Sequence, residues 1–502
     1  MKYLLLLCTV LLLTGCLSGG KGENNSASTP LITQLTSETS PSETTLTTYE
    51  FNTTSEGWSG MAGASVTATN GYLSITGRSA AYDGPGKPLL AMEANKMYLI
   101  RLTVRPKANT SLNLMLKLVG TSTQYRHLTR TAAKANTWTP IRAFVYLSSA
   151  DIAKGLTLYL NGDSSGDFDI DSVALSTTTY TPPTSSLTTD FLTATTARMK
   201  GINLIAYTDT ESDDPYTFMN YAYYNYDRND FATIKSWGFN TVRIALWHKY
   251  FDTPLGYAWL DTVIGWAKEN GIKVILDMHA PQGGGFQGPN HITPFWDNVS
   301  YRNSYKTLWV NIATRYRNEP TIVAYDLINE PCPHAQSDYI TLMQETITAI
   351  RAVDTHHIIN VENTFATDST PFHLNGFSNI LYDFHFYDPW DSYTNSTTAV
   401  YGTGALTKAN IKTYFTDFSD YYTSRNLPLM VSEFGQKRDV ITAGNRGGLQ
   451  WVSDVFSFLD ETNASYCYFS FKGNEFGVYD STNALSSTSG SNTDLINLFK
   501  QR

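Results

Sequence analysis

The chain has 502 residues, too many for a single hydrophobic core and enough for two or three domains. Its formal net charge is −9, charged residues make up only 16%, and aromatic residues make up 13%. A nucleic-acid partner would require a clustered basic surface, so this balance argues against one. Many Tyr and Trp residues with few charges are typical of an extracellular protein that handles neutral, hydroxyl-rich ligands.

The N-terminal residues 1–16, "MKYLLLLCTVLLLTGC", place Lys2 before about a dozen apolar residues, too few to span a bilayer as a permanent helix. The stretch ends in "LTGC", which resembles the lipobox of prokaryotic lipoproteins. That resemblance implies that Cys16 becomes the lipidated first residue of the mature chain. The alternative is an ordinary secretory signal cut nearby. We therefore expect the protein at the extracellular face, as a membrane-anchored lipoprotein or in secreted form.

Residues 17–47 are rich in Ser, Thr, Gly and Asn without apolar periodicity, which predicts a flexible tether. From 48 to 177 the pattern changes to short alternating runs such as "MYLIRLTVRP" and "SLNLMLKLVG" at roughly ten-residue spacing. This spacing is typical of an all-β sandwich. A Thr/Pro/Ser-rich linker at 178–192 predicts a domain boundary between the sandwich and the residues that follow.

Three segments of the sandwich carry a family resemblance: "TGRSAAYDGPGKPL" (76–89), "NTWTPIRAFVYL" (136–147) and "LTLYLNGDSSGDFDIDSVALS" (156–176). They resemble the jelly-roll carbohydrate-binding modules of families 4, 9 and 22. The resemblance implies a glycan cleft with Tyr82 and Tyr125 as stacking residues; the alternative for each is an ordinary strand aromatic. It also implies a structural calcium ion near Glu50 and Asp171, since calcium prefers oxygen ligands.

Residues 193–502 alternate strand-like and amphipathic runs. Eight strand-like runs are separated by stretches such as "YAWLDTVIGWAKENG" and "SDYITLMQETITAIRAVD". Eight βα units in about 310 residues predict a closed parallel (β/α)8 barrel, a TIM barrel. The chain is thus expected to be an α/β barrel enzyme domain preceded by an all-β jelly-roll sandwich.

Polar residues follow the apolar runs of this barrel, where the C-terminal ends of strands meet and chemistry is located. Glu330 ends "AYDLINEP" and Glu433 ends "LMVSEF", which places them on strands four and seven. Asp277, Glu362 and Asp388 compete on composition alone. Glu330 and Glu433 are preferred as the catalytic pair because each is the last polar residue of a strongly apolar run.

This constellation resembles glycoside hydrolase family 5 over about 199–475. The resemblance implies that Glu330 in "LINEP" is the acid/base and that Glu433 in "VSEFG" is the nucleophile. It also implies that Asn329 binds the 2-hydroxyl of the reacting sugar and that Arg243 in "TVRI" orients the nucleophile. Further substrate-binding positions implied by the resemblance are His279, His385 and Tyr387.

The candidate aromatic platforms for sugar rings are Phe469, Trp247 and Trp390. Family members usually place a Trp on strand eight, where "YCYFSFKG" has Phe469 instead. Phe469 can still stack on a sugar but lacks the indole N–H. Trp247 and Trp390 follow strands two and six and are either further sugar platforms or residues packed beneath loops. Cys332 and Cys467, the cysteines of the mature chain, either pair or stay free.

Two carboxyl groups about 5 Å apart can cleave a glycosidic bond with retention of configuration, and this chemistry requires neither a metal nor an organic cofactor. The leading hypothesis is a monomeric endo-acting β-1,4-glycanase, an endoglucanase (cellulase). The same barrel could instead act on mannan, xylan or mixed-linkage glucan. The third hypothesis is a non-catalytic glycan receptor that only binds. The expected partners are a polysaccharide and, through the lipid anchor, a membrane.

Overall fold

The computed structural model describes residues 43–69, 71–178, 191–204, 226, 228–286, 288, 291–442, 446–472, 475–479 and 492–502. Cys16 and most of the predicted tether lie outside the described residues. The N-terminal part is built from eleven strands: β1 (Glu43–Tyr49), β2 (Ser59–Met61), β3 (Ser65–Thr69), β4 (Tyr72–Thr76), β5 (Gly84–Pro88), β6 (Lys96–Pro106), β7 (Thr110–Val119), β8 (Thr123–Ala133), β9 (Thr139–Leu147), β10 (Gly155–Gly162) and β11 (Phe168–Thr178).

These strands form two antiparallel sheets. The first sheet has the order β3-β4-β11-β6-β9 with β1 added on β11, and the second has the order β2-β5-β10-β7-β8. Alternate residues of β7 face the space between the sheets, as Leu112 and Leu114 do, and the sandwich core forms there. β1 begins at Glu43 and pairs with Thr178 of β11, so the sandwich extends five residues into the segment predicted as tether.

The C-terminal part contains the eight strands predicted from the sequence: β12 (Lys200–Leu204), β13 (Thr241–Trp247), β14 (Lys273–Ala280), β15 (Ile322–Asp326), β16 (Ile358–Glu362), β17 (Ile380–Phe386), β18 (Leu429–Phe434) and β19 (Ser465–Tyr468). They close into one parallel barrel in chain order. The sequence prediction of an α/β barrel is therefore confirmed. The described helices, with α1 in the sandwich and the others around the barrel, are α1 (Ser149–Ile152), α2 (Arg228–Ser236), α3 (Pro254–Glu269), α4 (Pro294–Asp297), α5 (Val299–Tyr316), α6 (Gln336–Arg351), α7 (Lys408–Thr423), α8 (Arg438–Thr442), α9 (Gly448–Glu461) and α10 (Thr493–Phe499).

Local sequence explains where the long helices start. Before α3, Thr253 accepts a hydrogen bond from the Leu255 N–H, and Pro254 occupies the first turn, where its missing N–H is not needed. Before α5, the Asn298 side chain accepts from the Ser300 N–H in the same way. No helix in the described ranges has the length and apolar character needed to cross a membrane.

The sandwich packs against the barrel through the outer face of its first sheet. Met97 and Leu99 on β6 and Phe144 on β9 point away from the sandwich core, yet they are 6%, 0% and 4% exposed. All three belong to the apolar cluster that fills the barrel and its surrounding helices, and β9 contacts α3. The apolar outer face of the first sheet is thus covered by the barrel and its helices.

Candidate active site

The polar residues predicted at the strand ends come together at the C-terminal mouth of the barrel. Arg243 and His279 lie on β13 and β14, and Glu433 lies near the end of β18. Glu330 follows β15 by four residues, because that strand ends at Asp326. The chain still runs alongside its neighbours there, since the Leu327 and Asn329 N–H groups donate to carbonyls of β16 and β14.

Glu433 is 4% exposed and is held by two donors. One oxygen accepts from Arg243 Nη1 at 2.8 Å, and the other accepts from the Tyr387 hydroxyl at 2.8 Å. Burial alone would raise the pKa of Glu433, but the positive charges of His385, Arg243 and His279 outweigh it and lower that pKa. Glu433 is therefore an ionised carboxylate over the neutral pH range, as a nucleophile must be.

Glu330 has different surroundings. Its carboxyl group is partly exposed, and one oxygen lies 2.8 Å from His385 Nδ1. His385 also approaches Glu433, at 3.5 Å, and the facing oxygens of Glu330 and Glu433 lie within 4.8 Å of each other. The backbone of Glu330 has φ 44°, in the left-handed region that side chains other than glycine rarely adopt.

Arg243 is the charged centre beneath this pair. It is 1% exposed and donates through Nε to Asp326 at 2.8 Å, besides its bond to Glu433. Its Nη2 donates to the Asn329 side-chain oxygen at 2.9 Å, which fixes the orientation of that amide. Burial opposes its charge, yet the surrounding carboxylates, with Asp277 first, raise the pKa of Arg243 well above its usual value.

Several buried polar residues complete the floor of the site. Burial raises the pKa of Asp326 to about 7 although Arg243 opposes that shift. Asp383 accepts from the Ser432 N–H at 2.8 Å, and an Asp277 oxygen lies 2.8 Å from His279 Nδ1. Asn203 accepts from Arg243 Nη1 at 3.1 Å.

The sequence offered Asp277 and Glu362 only as competitors of the catalytic pair, and Asn203, Asp326 and Asp383 were not predicted. The position of Glu362 at the end of its strand was a usable signal, whereas Asn203 and Asp383 lie inside apolar strands without a distinguishing motif.

The predicted aromatic platforms differ in accessibility. Trp390 is 41% exposed and stacks on Phe476 with ring planes at 16°, beside Tyr387. Phe469 is 9% exposed and lies 6.2 Å from the Tyr387 ring. Trp247 is 9% exposed and belongs to the barrel core, so its alternative role of packing beneath loops agrees with its placement. Phe476, which was not predicted, lies in a turn after β19.

The loop after β14 borders the same cleft. Gly284, Gly285 and Phe286 line a small cavity together with Asn329 and Glu330. A Cβ atom on Gly285 would lie 2.4 Å from the His279 carbonyl oxygen, so the close approach of the two chain segments requires glycine there. Gly284 and Gly285 therefore bring this loop to the edge of the cleft beside Glu330.

The predicted sandwich residues lie on its surface, with Tyr82 64% and Tyr125 46% exposed. Tyr125 and the unpredicted Tyr159 have ring centroids 6.1 Å apart on the outer face of the second sheet. Asp171 is half-buried, and burial raises its pKa, with Glu50 adding to the shift. Among the described residues, no third acidic or histidine ligand joins Glu50 and Asp171 in a group of metal-type donors.

Within the described part of the barrel, two groups of three side chains have metal-type donor atoms that all lie within 4.8 Å of one another inside each group. One group is Glu330, His385 and Glu433, and the other is Glu362, Asp383 and His385. Arg243 already donates to Glu433 and Glu362, so a cationic partner serves both groups. Cys332 and Cys467 are both buried and form no disulfide bond with each other.

A parallel eight-stranded barrel that brings two carboxyl groups within 4.8 Å at its C-terminal mouth has the arrangement of a glycoside hydrolase. Residues 200–475, more than half of the chain, match the model of the cellulase family, glycosyl hydrolase family 5. The chain belongs to this family.

Curated relatives match over shorter stretches. A β-xylosidase of Phanerodontia chrysosporium is 31% identical over 157 residues, which are 28% of this chain and 33% of the relative. Endoglucanase C of Acetivibrio thermocellus is 28% identical over 179 residues, 32% of this chain and 50% of the relative. The chain therefore spans between a third and a half of the length of these relatives.

Solved structures show similarity at lower identity. Endoglucanase Cel5A of Thermotoga maritima aligns with a TM-score of 0.48 and 20% identity, covering 60% of this chain and 96% of that chain. The β-glucanase SdGluc5_26A of Saccharophagus degradans aligns with a TM-score of 0.45 and 18% identity, covering 61% and 87%.

Proposed function

We propose that this protein is a retaining endo-β-1,4-glycanase whose preferred substrate is β-1,4-glucan, which makes it an endoglucanase. The observation that carries the proposal is the pair Glu330 and Glu433, whose oxygens lie within 4.8 Å in two different environments. The buried Glu433 is held ionised by Arg243 and Tyr387, whereas Glu330 is partly exposed to the cleft. A separation near 5 Å leaves no room for a water molecule between carboxylate and sugar, as retention requires.

In the proposed reaction, a Glu433 oxygen attacks the anomeric carbon while Glu330 transfers its proton to the departing glycosidic oxygen. The bond between that carbon and the leaving oxygen breaks, and a covalent glycosyl ester forms on Glu433. Glu330, now a carboxylate, then removes a proton from water as the water oxygen attacks the same carbon. This second displacement frees Glu433 and restores the original configuration.

Arg243 and Tyr387 support the first step by holding the nucleophile in one orientation. Both donate to Glu433, so neither of its oxygens can turn away from the sugar. The arginine also holds the Asn329 amide, and this supports the role of Asn329 at the 2-hydroxyl of the reacting sugar. Trp390 and Phe469 would offer apolar faces to neighbouring sugar rings.

The relatives support a β-glycosidic substrate but carry several names, among them endoglucanase, cellodextrinase and β-xylosidase. Residue 469 is Phe where the family usually has Trp. For this reason mannan, xylan and mixed-linkage glucan are the second candidate substrates. A reducing-sugar assay across these polysaccharides tests the substrate, and proton NMR of the first product tests retention. Activity on none of them would support the receptor hypothesis and overturn the enzyme proposal.

We also infer that the sandwich binds carbohydrate on the outer face of its second sheet. This face carries the Tyr125–Tyr159 ring pair, and Asn113 on β7 donates to Asn161 on β10 at 3.1 Å. Amides and tyrosine rings suit neutral sugars. Replacing Tyr125 with Ala in the full chain should weaken pull-down on insoluble cellulose without changing hydrolysis of soluble oligosaccharides. Unchanged pull-down would place the binding surface elsewhere, for example around Tyr82.

The lipobox supports anchoring of the protein to a membrane through Cys16, with the catalytic barrel at the extracellular face. An ordinary secretory signal is the alternative to the lipobox. We propose that the protein is a monomer. A structural calcium ion near Glu50 and Asp171 is proposed from the resemblance of the sandwich to carbohydrate-binding modules and from the preference of calcium for oxygen ligands. If calcium binds there, chelation should lower the melting temperature of the full chain, and added calcium should restore it.

A further inference from the structure

We propose that Glu362 is a positioning residue for Glu330: its buried carboxyl group holds both the backbone of Glu330 and the ring of His385. Glu362 is the last residue of β16 and is 2% exposed. One oxygen accepts the Glu330 N–H at 2.7 Å, and the other lies 3.1 Å from His385 Nε2. This inference rests on the proposed function, because it assigns Glu330 the role of acid/base.

The Glu330 N–H finds its hydrogen-bond acceptor in the Glu362 side chain and not in a neighbouring strand. The neighbouring Leu327 and Asn329 N–H groups donate to backbone carbonyls of the flanking strands. At Glu330 the backbone has φ 44° and leaves this strand-to-strand hydrogen bonding. Its N–H donates to the Glu362 side chain instead. A left-handed non-glycine residue persists only when its surroundings enforce it. The Glu362 carboxyl group is one such constraint.

The second oxygen of Glu362 acts on the side chain of the same residue. It contacts His385 Nε2, and His385 Nδ1 contacts the Glu330 carboxyl group at 2.8 Å. Ser432 Oγ also lies 3.0 Å from His385 Nε2, and Arg243 Nη2 lies 3.2 Å from Glu362. Glu362 therefore fixes Glu330 at two points, directly at its backbone and through His385 at its carboxyl group.

The geometry separates the reach of the acceptor toward the Glu330 N–H from the second carboxyl oxygen that faces His385. The variant Glu362→Gln keeps an oxygen of the same reach that can accept the Glu330 N–H, but its amide nitrogen replaces the oxygen that faces His385 and Arg243. The variant Glu362→Asp keeps both carboxyl oxygens but is one methylene shorter. If positioning is the role of Glu362, the Gln variant should retain more activity than the Asp variant, and both should exceed Glu362→Ala.

The test compares two substrates on the full chain: a cello-oligosaccharide, whose leaving group needs a proton, and the dinitrophenyl glycoside of matched length, which needs little. Glu362→Ala should lower kcat on the oligosaccharide about 100-fold with KM changed less than about threefold, because a misplaced acid loses much of the roughly 10²–10⁴-fold effect of proton transfer. The glycosylation rate with the aryl glycoside should fall less than about threefold.

Asp354 provides a matched control. It is a buried carboxylate that also contacts a histidine, His357 Nδ1, at 2.6 Å and accepts a backbone N–H, but it takes part in neither contact to Glu330. Asp354→Asn should lower the melting temperature and leave the ratio of the two substrate rates unchanged. An equal loss on both substrates in Glu362→Ala, or better rescue by Asp than by Gln, would overturn the proposal.

A crystal structure of Glu362→Ala gives a readout that does not depend on activity. We expect the φ angle of Glu330 to leave the left-handed region or the His385 ring to move. An unchanged Glu330 backbone and His385 ring would refute positioning even if the wild-type chain proved active on no polysaccharide. Inactivity of the wild type on the whole panel would instead contradict the proposed function.

Discussion

Phe144 offers a test of how the sandwich and the barrel are joined in solution. It lies on the outer face of β9, is 4% exposed and belongs to the barrel's apolar cluster rather than to the sandwich core. Phe144→Ala should weaken the docked arrangement by about 3–5 kcal/mol, the usual cost of emptying a buried Phe site. This corresponds to roughly a hundredfold or larger shift of the docking equilibrium toward separated domains.

The assay uses a full-length chain with a specific protease site inserted between residues 179 and 190. After cleavage, the two fragments of the otherwise unchanged protein should co-elute in size-exclusion chromatography, whereas the Phe144→Ala fragments should separate. Calorimetry should also resolve two unfolding transitions in the Phe144 variant in place of a coupled one.

Ile141 is the matched control because it lies on the same strand and is 1% exposed but faces the sandwich core. Ile141→Ala should cost about 2–5 kcal/mol in sandwich stability and leave the nicked fragments together. Co-elution of the Phe144→Ala fragments, with unfolding unchanged from wild type, would refute the docked arrangement.

Further predictions concern the site and the anchor. Glu433→Ala should abolish glycosyl transfer even from activated aryl glycosides, because no nucleophile remains. Glu330→Ala should retain the first step with such substrates and regain turnover when azide is added, giving a glycosyl azide of retained configuration. An azide product of inverted configuration would reverse the assignment. Tyr387→Phe removes a hydrogen bond that lowers the pKa of Glu433, so that pKa should rise and the acidic limb of kcat/KM should move to higher pH. The kcat of Tyr387→Phe should fall about ten- to hundredfold, because a hydrogen bond to a charged group contributes about 1.5–3 kcal/mol. An unmoved acidic limb would contradict the hydrogen bond between Tyr387 and Glu433. Trp390→Ala should raise KM for oligosaccharides more than it lowers kcat, since a platform ring would contact a neighbouring sugar and not the reacting atoms. The reverse pattern would contradict a platform role. Cys16→Ser should release the protein from membranes, and continued sedimentation with membranes would contradict the lipobox interpretation.

Much of the barrel was predictable because its signals are local. Apolar runs followed by polar residues identified all eight strands, and Glu330 and Glu433 were selected because a carboxylate after a buried strand needs a special environment. The alternating pattern predicted a sandwich for the same reason, since successive side chains of a strand point to opposite faces and their polarity shows which face is buried. The start of the sandwich was missed because the Thr-rich β1, "ETTLTTY", has the composition of a tether.

Tertiary structure alone decided the features that depend on distant residues. Glu362 contacts His385 only because β16 pairs with β17 in the closed barrel, and Phe476 contacts Trp390 only across two loops. The sequence could not show that Phe144 faces the barrel, because an alternating strand looks the same whether its outer face meets water or another domain. Such contacts arise from long-range packing, which places side chains from separate segments together and is not encoded in any one segment.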